Sequence, residues 1–533
     1  NQMGVQFGGP KIVKALSFKK EAKDGLIKGI KKLSDAVSVT LGASGRTVVL
    51  EDDFGNPHVT KDGVTVANYV NLEDPLENLG ATMLKQAAKQ TATKAGDGTT
   101  TSTVLAENIM KSYFNLKGED FSFRDIKSGI DKFVKKVVEF LDKKASPVDE
   151  KMLNHVSTIS CNNDKELGNF IADAFKLAGE NGVVTMETSP TNETYIDSVN
   201  GTHIKSISKS IHFYTNREKE VSELDKPLIF LCASDIDNIR RIQTILEFAI
   251  KSNQSLLLIA PCDQQIISAL AMNFVKGNIR CNVIDPPSFG LKRKDILDDI
   301  ALLTGATVID ENLGDSLDNI TSDVLGNASK AIIDTDGTTI AIDEIPEGVK
   351  ERVEYLQKQL DEEEHHIMRP HLEYRLSILN GGVSMVYVGG DTEVEVSEKK
   401  DRVDDAIHAV RAAKKEGILP GGGVALVAAS NMDWELTLNQ GELKGVDIMK
   451  EALLSPYNTI LSNAGLNPED FKGISFKKGV DVIDGSVKDM IKAGIVDPLL
   501  VTKSALLNAV SVATTILSTD CVISNVRDYE SDR

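Results

Sequence analysis

Ala95-Gly96-Asp97-Gly98-Thr99-Thr100-Thr101 interrupts a stretch, Leu79–Asn115, that otherwise reads as helix. Two glycines in three positions let the backbone turn and present its N–H groups outward. Beyond the turn, Val104, Leu105, Ile109, Met110, Tyr113 and Phe114 fall on one helical face. The pattern predicts a helix–loop–helix unit whose second helix begins at the threonines. A helix start carries the positive end of the helix dipole, and the threonine hydroxyls add donors, which is the physics of a phosphate cradle. Asp97 is placed to hold Mg2+, a hard cation that prefers carboxylate and phosphate oxygens. Taken alone, a Gly-Asp-Gly turn with a threonine cap is more often purely structural.

Comparable loops recur toward both ends. Thr40-Leu41-Gly42-Ala43-Ser44-Gly45 ends a helical stretch over 11–41, and Thr40-Leu41-Gly42 reads as a second phosphate loop. Arg46–Glu51 reads as a short strand, and Thr60-Lys61-Asp62-Gly63 as a hairpin turn. From about residue 400 the chain is helical again. Ala406–Lys415 leads into Gly417-Ile418-Leu419-Pro420-Gly421-Gly422-Gly423, a run that is either simply flexible or lets a nucleoside approach the backbone. Asp405 lies on that helix, where a lone carboxylate is more often solvated than catalytic. Residues 497–518 are apolar on several faces, as in a buried core helix.

The middle differs. Leu228–Ala233, Leu256–Ala260, Cys281–Ile284 and Thr307–Asp310 are apolar strand candidates, alternating with helices near 236–252, 264–276 and 293–303. That alternation implies a mostly parallel sheet with helical cover. Residues 346–378 form a charged helical pair, with Val349, Val353, Leu356 and Leu360 as its seam. Asp361–Glu364 with His365 and His366 is a solvated face rather than a metal site, because adjacent histidines point about 100° apart on a helix. Helical ends around an α/β middle imply a multidomain α and α/β fold: one mainly helical domain built from both termini, with the α/β part inserted.

The chain has 533 residues, 41% hydrophobic and 26% charged, ordinary for a soluble globular chain. With 60 basic and 79 acidic residues the net charge is −19, which disfavours nucleic acid and anionic membrane as partners. Five scattered cysteines without a CxxC pair read as buried free thiols in a reducing compartment. The longest apolar runs fall far short of a bilayer span. Asn1–Pro10 lacks a secretory pattern, and Gly8-Gly9-Pro10 reads as a flexible lead-in or expression remnant. Walker A, a Rossmann glycine fingerprint, GxSxG and HExxH are all missing from the sequence.

Taken together, the glycine loops resemble the group I chaperonins, the GroEL family. The resemblance rests on Thr40-Leu41-Gly42, Gly45–Leu50, Thr60-Lys61-Asp62-Gly63-Val64, Ala95–Thr101 with Thr103-Val104-Leu105-Ala106, Ala406-Ile407-His408-Ala409, Gly421–Leu426, and Asp497-Pro498 with Lys503-Ser504-Ala505-Leu506. It runs from about residue 12 to 525, tight at the ends and loose in the middle. It implies an equatorial domain over 1–143 and 416–533, a small intermediate α/β domain over 144–199 and 384–415, and an inserted apical α/β domain over 200–383. It implies ATP and Mg2+ as ligands, with Asp97 on the metal and Gly98, Thr99, Thr100 and Thr101 on the phosphates. Thr40, Leu41, Gly42 and Lys61 then close the nucleotide from the other side, and Gly422, Asp481 and Asp497 lie at the adenosine. Asp405 positions the attacking water, and Asp62 assists near the γ-phosphate. Phe213, Leu246, Ile267, Ala271 and Met272 become the apolar capture surface for unfolded or misfolded polypeptides. The resemblance implies a homo-oligomeric ring of seven, in a bacterial or virus-infected bacterial cytosol or an organelle matrix.

The departures concern the apical part and the ends. Ser206–Phe213 replaces an aromatic-rich family stretch, Gln243 replaces an apolar residue, and Ala43-Ser44 replaces a proline with a basic residue. Arg527–Arg533 lacks the family's Gly-Gly-Met repeats. These changes bear on client range and on a possible co-chaperonin lid, not on the ATP loops. Two competing readings are an α/β metabolic enzyme with its site at the strand ends, and a holdase or scaffold ring without effective hydrolysis.

Overall fold

The computed structural model describes residues 13–179, 182–435 and 437–526. The Gly8-Gly9-Pro10 lead-in and the Arg527–Arg533 end lie outside the described residues. The chain forms two compact units. One runs to Asn169 and resumes at Arg402; the other is Phe170–Asp401.

The first unit is helical. Helix Lys19–Ser38 buries Ala22, Leu26, Ile30, Leu33 and Val37, a stripe at steps of three and four residues. Helix Pro75–Ala95 starts on Asp74, whose carboxylate accepts from Glu77 N at 3.0 Å, with Pro75 in the first turn. It packs beside helix Thr99–Asn115, and helix Leu499–Leu517 lies against both. Together with helices Phe123–Lys144 and Gln440–Ala452 they enclose one continuous apolar core. The N-terminal stretch is not helical throughout: Lys14–Phe18 is a strand, antiparallel to Cys521–Asn525. Its partner lies some 500 residues away, so no local periodicity marks it.

Among the described residues one helix, Leu499–Leu517, is long and apolar enough to cross a membrane, although its apolar run is not unbroken. Ser504, Asn508, Ser511 and Thr514 interrupt the run. In this fold 67% of its apolar window is buried in the core of the first unit.

The second unit contains two sheets. Strands Val308–Ile309, Leu228–Cys232, Leu256–Ile259 and Cys281–Ile284 are parallel neighbours in that order, with Gly326–Asn327 added antiparallel. Their residues are buried on both faces, which is why they read as continuous apolar runs. A six-stranded sheet escapes the sequence reading. Its order is Val183–Thr188, Val383–Val388, Tyr195–Ile204, Gly337–Ile342, Lys330–Asp334 and Ser222–Asp225, antiparallel except at its first pair. Helices Val349–Glu362 and Met368–Asn380 form the charged hairpin, with Val349 and Leu356 buried.

Candidate functional site

Helix Pro75–Ala95 stops at Gly96, which adopts φ +79° and donates its N–H to Ala92 O. Asp97 follows. Gly98, at φ +92°, precedes helix Thr99–Asn115, and no side chain caps that helix. Its first-turn N–H groups therefore have no side-chain acceptor. The Asp97 carboxylate accepts from Gly98 N at 2.6 Å. A Cβ at Gly98 would stand 3.0 Å from Thr91 Cγ2 and from Val501 Cγ1, so the turn is pressed onto two neighbouring helices.

Three early loops meet here. A Cβ at Gly63 would stand 2.1 Å from Thr100 Oγ1 and 3.3 Å from Thr40 Oγ1. Thr40, Gly63 and Thr100 thus share one spot. Asp62 is fixed just before Gly63 as a helix cap, accepting from Val64 N, Thr65 N and Thr65 Oγ1. Lys61, beside it, is exposed. The loop through Leu41 and Gly42 is held by Asn463, whose Nδ2 donates to Ser38 O and Leu41 O, both at 2.9 Å, while Ile460 packs on Gly42. Neither Asn463 nor Ile460 carries a sequence signal for this task; only proximity in the fold reveals it.

The far end of the chain supplies the opposite wall. Strand Ile418–Pro420 pairs with Val496–Pro498, setting Leu419 opposite Asp497. Gly421 N donates to Ile495 O at 2.9 Å. Gly422 and Gly423 then turn with φ +74° and +81°. Met490 packs on Gly422 and also on Gly479, two residues before Asp481. The Asp481 carboxylate is already paired with Lys488 Nζ at 2.8 Å, so its charge is largely engaged. Asp405 lies on helix Glu393–Glu416, near Cys161: burial pushes that thiol up to about 12, with Asp164 and Asp405 adding to the rise.

The carboxylates are electrostatically linked. Protein surrounds Asp97, and this pushes its carboxyl above the ordinary range; Asp62 adds to the rise, while the Gly98 N–H and His408 oppose it. Asp97 is still reached by solvent, so it stands in an open cleft and not in a sealed core. Asp497 is pushed up to about 7 by burial and then by Asp97. Asp62 raises the proton affinity of Asp97, and Asp97 that of Asp497, a run of carboxylates that fits a cation. Among the described residues no three acidic, histidine or cysteine side chains gather into a metal site of their own. Carboxylates so placed suit Mg2+, which uses one or two of them and takes its remaining ligands from water and phosphate.

A raised folded-state pKa on an acid costs stability once pH exceeds the unfolded value. The cost sets in above about 4 and is complete near pH 7. Asp497→Asn is therefore expected to stabilise the ligand-free protein at pH 8 by on the order of 1 kcal/mol, after allowing for solvent access. The gain in Tm should vanish near pH 4, where both states hold the proton. An unchanged Tm at pH 8 would contradict the linkage.

The capture surface needs correction. Phe213 (0% exposed), Leu246 (8%), Ile267 (2%) and Ala271 (4%) are core residues, and of the five only Met272 (60%) faces solvent. The helices Gln243–Lys251 and Gln264–Val275 turn those positions inward against the parallel sheet. Their exposed apolar side chains are Phe248, Ile250, Met272 and Val275. Both helices are apolar on more than one side, so the sequence leaves the buried face ambiguous.

A model of the TCP-1/cpn60 chaperonin family matches residues 33–527. Two solved structures of the chaperonin gp146 from the bacteriophage EL 2 (Pseudomonas aeruginosa), crystallised in the presence of ATP-BeFx, share the fold. One matches with a TM-score of 0.70 at 20% identity, the other with 0.64 at 21%; each match covers 96% of this chain and 99% of the other.

Proposed function

The chain belongs to the TCP-1/cpn60 chaperonin family, and from that premise we propose that it is an ATP-hydrolysing chaperone that captures non-native polypeptides and folds them inside a ring. The observation that carries this reading is the cleft in which Asp97, Asp62 and Asp497 come together, walled by glycine turns from both ends of the chain. In the three-domain description, 1–143 and 416–533 are equatorial, 144–199 and 384–415 intermediate, and 200–383 apical.

The first-turn N–H groups and hydroxyls of Thr99, Thr100 and Thr101 receive the phosphates, with Gly98 leaving room for them. Asp97 is the residue that would hold Mg2+ beside the phosphates, where the ion would neutralise charge on the phosphoryl oxygens. Thr40, Leu41, Gly42 and Lys61 close one side; Gly422, Asp481 and Asp497 form the adenosine side. Asp405 orients the attacking water and accepts its proton, and Asp62, locked as a helix cap, assists near the γ-phosphate.

Client capture falls to Phe248, Ile250, Met272 and Val275, because exposed apolar side chains favour chains that expose their own. Replacing Phe248 and Met272 together by Ser is expected to weaken capture of a denatured client at least tenfold while leaving ATP hydrolysis unchanged. Co-sedimentation with the client checks this, and unaltered capture would remove these residues from the role.

Self-association is supported by two small sheets in the first unit. The hairpin Val48–Glu51/Pro57–Thr60 exposes Val49, Phe54 and Val59, and the strand pair at the chain ends exposes Leu16, Phe18 and Ile523. Apolar two-stranded sheets with open edges invite pairing between copies. A ring of seven and an optional lid complete the reading, and the net charge of −19 gives a chamber wall that repels acidic clients after release. The deciding experiment is refolding of a denatured client with and without ATP, combined with negative-stain imaging. Rings that refold the client only with ATP are expected. A monomer, or ATP-independent refolding, would reject the reading.

A further inference from the structure

The scheme above does not use His408, yet the fold builds a seat for it. Gly96 has φ +79°. A Cβ there would stand 2.1 Å from His408 Cβ and 2.8 Å from its Cγ, so only glycine admits the histidine. His408 Nδ1 lies 2.8 Å from the carbonyl oxygen of Asp404, a group that can only accept, so Nδ1 carries the hydrogen and the ring is tied to its own helix. Four residues on, Ala412 shares a small apolar cluster with Ala95, Leu500 and Val501. Helix Glu393–Glu416 thus meets the phosphate loop at two consecutive residues, Ala95 and Gly96. The device recurs on the other wall: a Cβ at Gly494, three residues before Asp497, would stand 2.3 Å from His155 Nδ1.

We infer that His408 is a positioning residue, whose seat on Gly96 sets the distance between the Asp97 loop and Asp405 and thereby the place of the attacking water. Asp405 precedes it by three residues, about 4.5 Å along the helix and about 60° around it. A helix seated one residue from Asp97 carries Asp405 at a fixed offset; without the seat, the helix and its carboxylate lose their reference point. This rests on the hydrolysis proposed above.

The test uses the full chain with His408→Ala, His408→Asn, Asp405→Ala and the double variant Asp405→Ala/His408→Ala. Single-turnover ATP hydrolysis, the Kd of a fluorescent ADP analogue and amide exchange over residues 96–101 are measured. His408→Ala is expected to slow hydrolysis about tenfold or more, since small misplacements of a reacting group are costly. The Kd should stay within about twofold, and amide exchange of the loop should quicken without nucleotide. His408→Asn, which still reaches the Asp404 carbonyl, should recover at least about half the rate. The double variant should be no slower than Asp405→Ala alone, because both act through one group. A double variant slower by the full His408→Ala factor, a wild-type rate in His408→Ala, or unchanged loop exchange overturns the inference. A wild-type chain that binds ADP but does not hydrolyse ATP overturns the functional reading instead, and the exchange measurement then still judges the seat.

Discussion

Asp405→Ala is expected to slow ATP hydrolysis by about a hundredfold or more and to leave nucleotide affinity within about twofold. The reason is where the residue sits. Thr40, Gly63 and Thr100 share one spot, and Asp97 lies one residue beyond the Gly96 seat, all on turns and helix starts that form the floor of the cleft. Asp405 belongs to a different helix, Glu393–Glu416, near Cys161. In the proposed mechanism its work is confined to water that must be oriented and deprotonated as the phosphoryl group leaves, so its loss is expected to fall on the chemical step. Asp405→Asn should be nearly as slow, since an amide orients water without taking its proton. Single-turnover hydrolysis beside ADP binding separates the two quantities. Equal turnover in Asp405→Ala and wild type would take the residue out of the mechanism.

Asp97→Ala should be more severe still, abolishing Mg2+-dependent ATP binding at micromolar nucleotide and reducing hydrolysis by about a thousandfold or more. Asp97 is the carboxylate at the proposed phosphate turn, and burial, with Asp62 adding to it, already raises its proton affinity in the absence of a cation. Without it, the proposed phosphate turn loses the carboxylate assigned to hold the neutralising metal. A second effect follows. Asp97 is one of two causes that lift Asp497 to about 7. Its removal should lower the Asp497 midpoint and shrink the stability that this residue costs at pH 8. Calorimetric titration with MgATP and thermal unfolding between pH 4 and 8 read the two effects separately. Tight MgATP binding by the variant would place the metal elsewhere.

Much of the candidate site was legible because glycine turns are local events. Gly96, Gly98, Gly422 and Gly423 need positive φ, and the sequence shows that need directly. The parallel strands were legible for a related reason: burial on both faces leaves unbroken apolar runs such as Leu228–Cys232. The antiparallel sheet was not. Tyr195–Ile204 mixes Asp, Ser, Asn and Gly with its apolar residues, and it makes sense only against Val383–Val388 and Gly337–Ile342 far along the chain. The expected exposure of the second unit's apolar positions failed for another reason. A resemblance carries positions across, but it does not say which way a helix apolar on several sides is rotated, and here Leu246, Ile267 and Ala271 turn inward.

The amino-acid sequence alone determined where the backbone had to turn, which segments were apolar enough to be buried, and which family those turns resemble. These properties depend on each residue's own conformational range and on its near neighbours. Only the tertiary structure decided that Asp97 and Asp497 share one field, that Asn463 holds the Leu41 loop, and that His408 rests on Gly96. Those are meetings between residues hundreds of positions apart, selected by the packing of whole helices, and no local pattern encodes them.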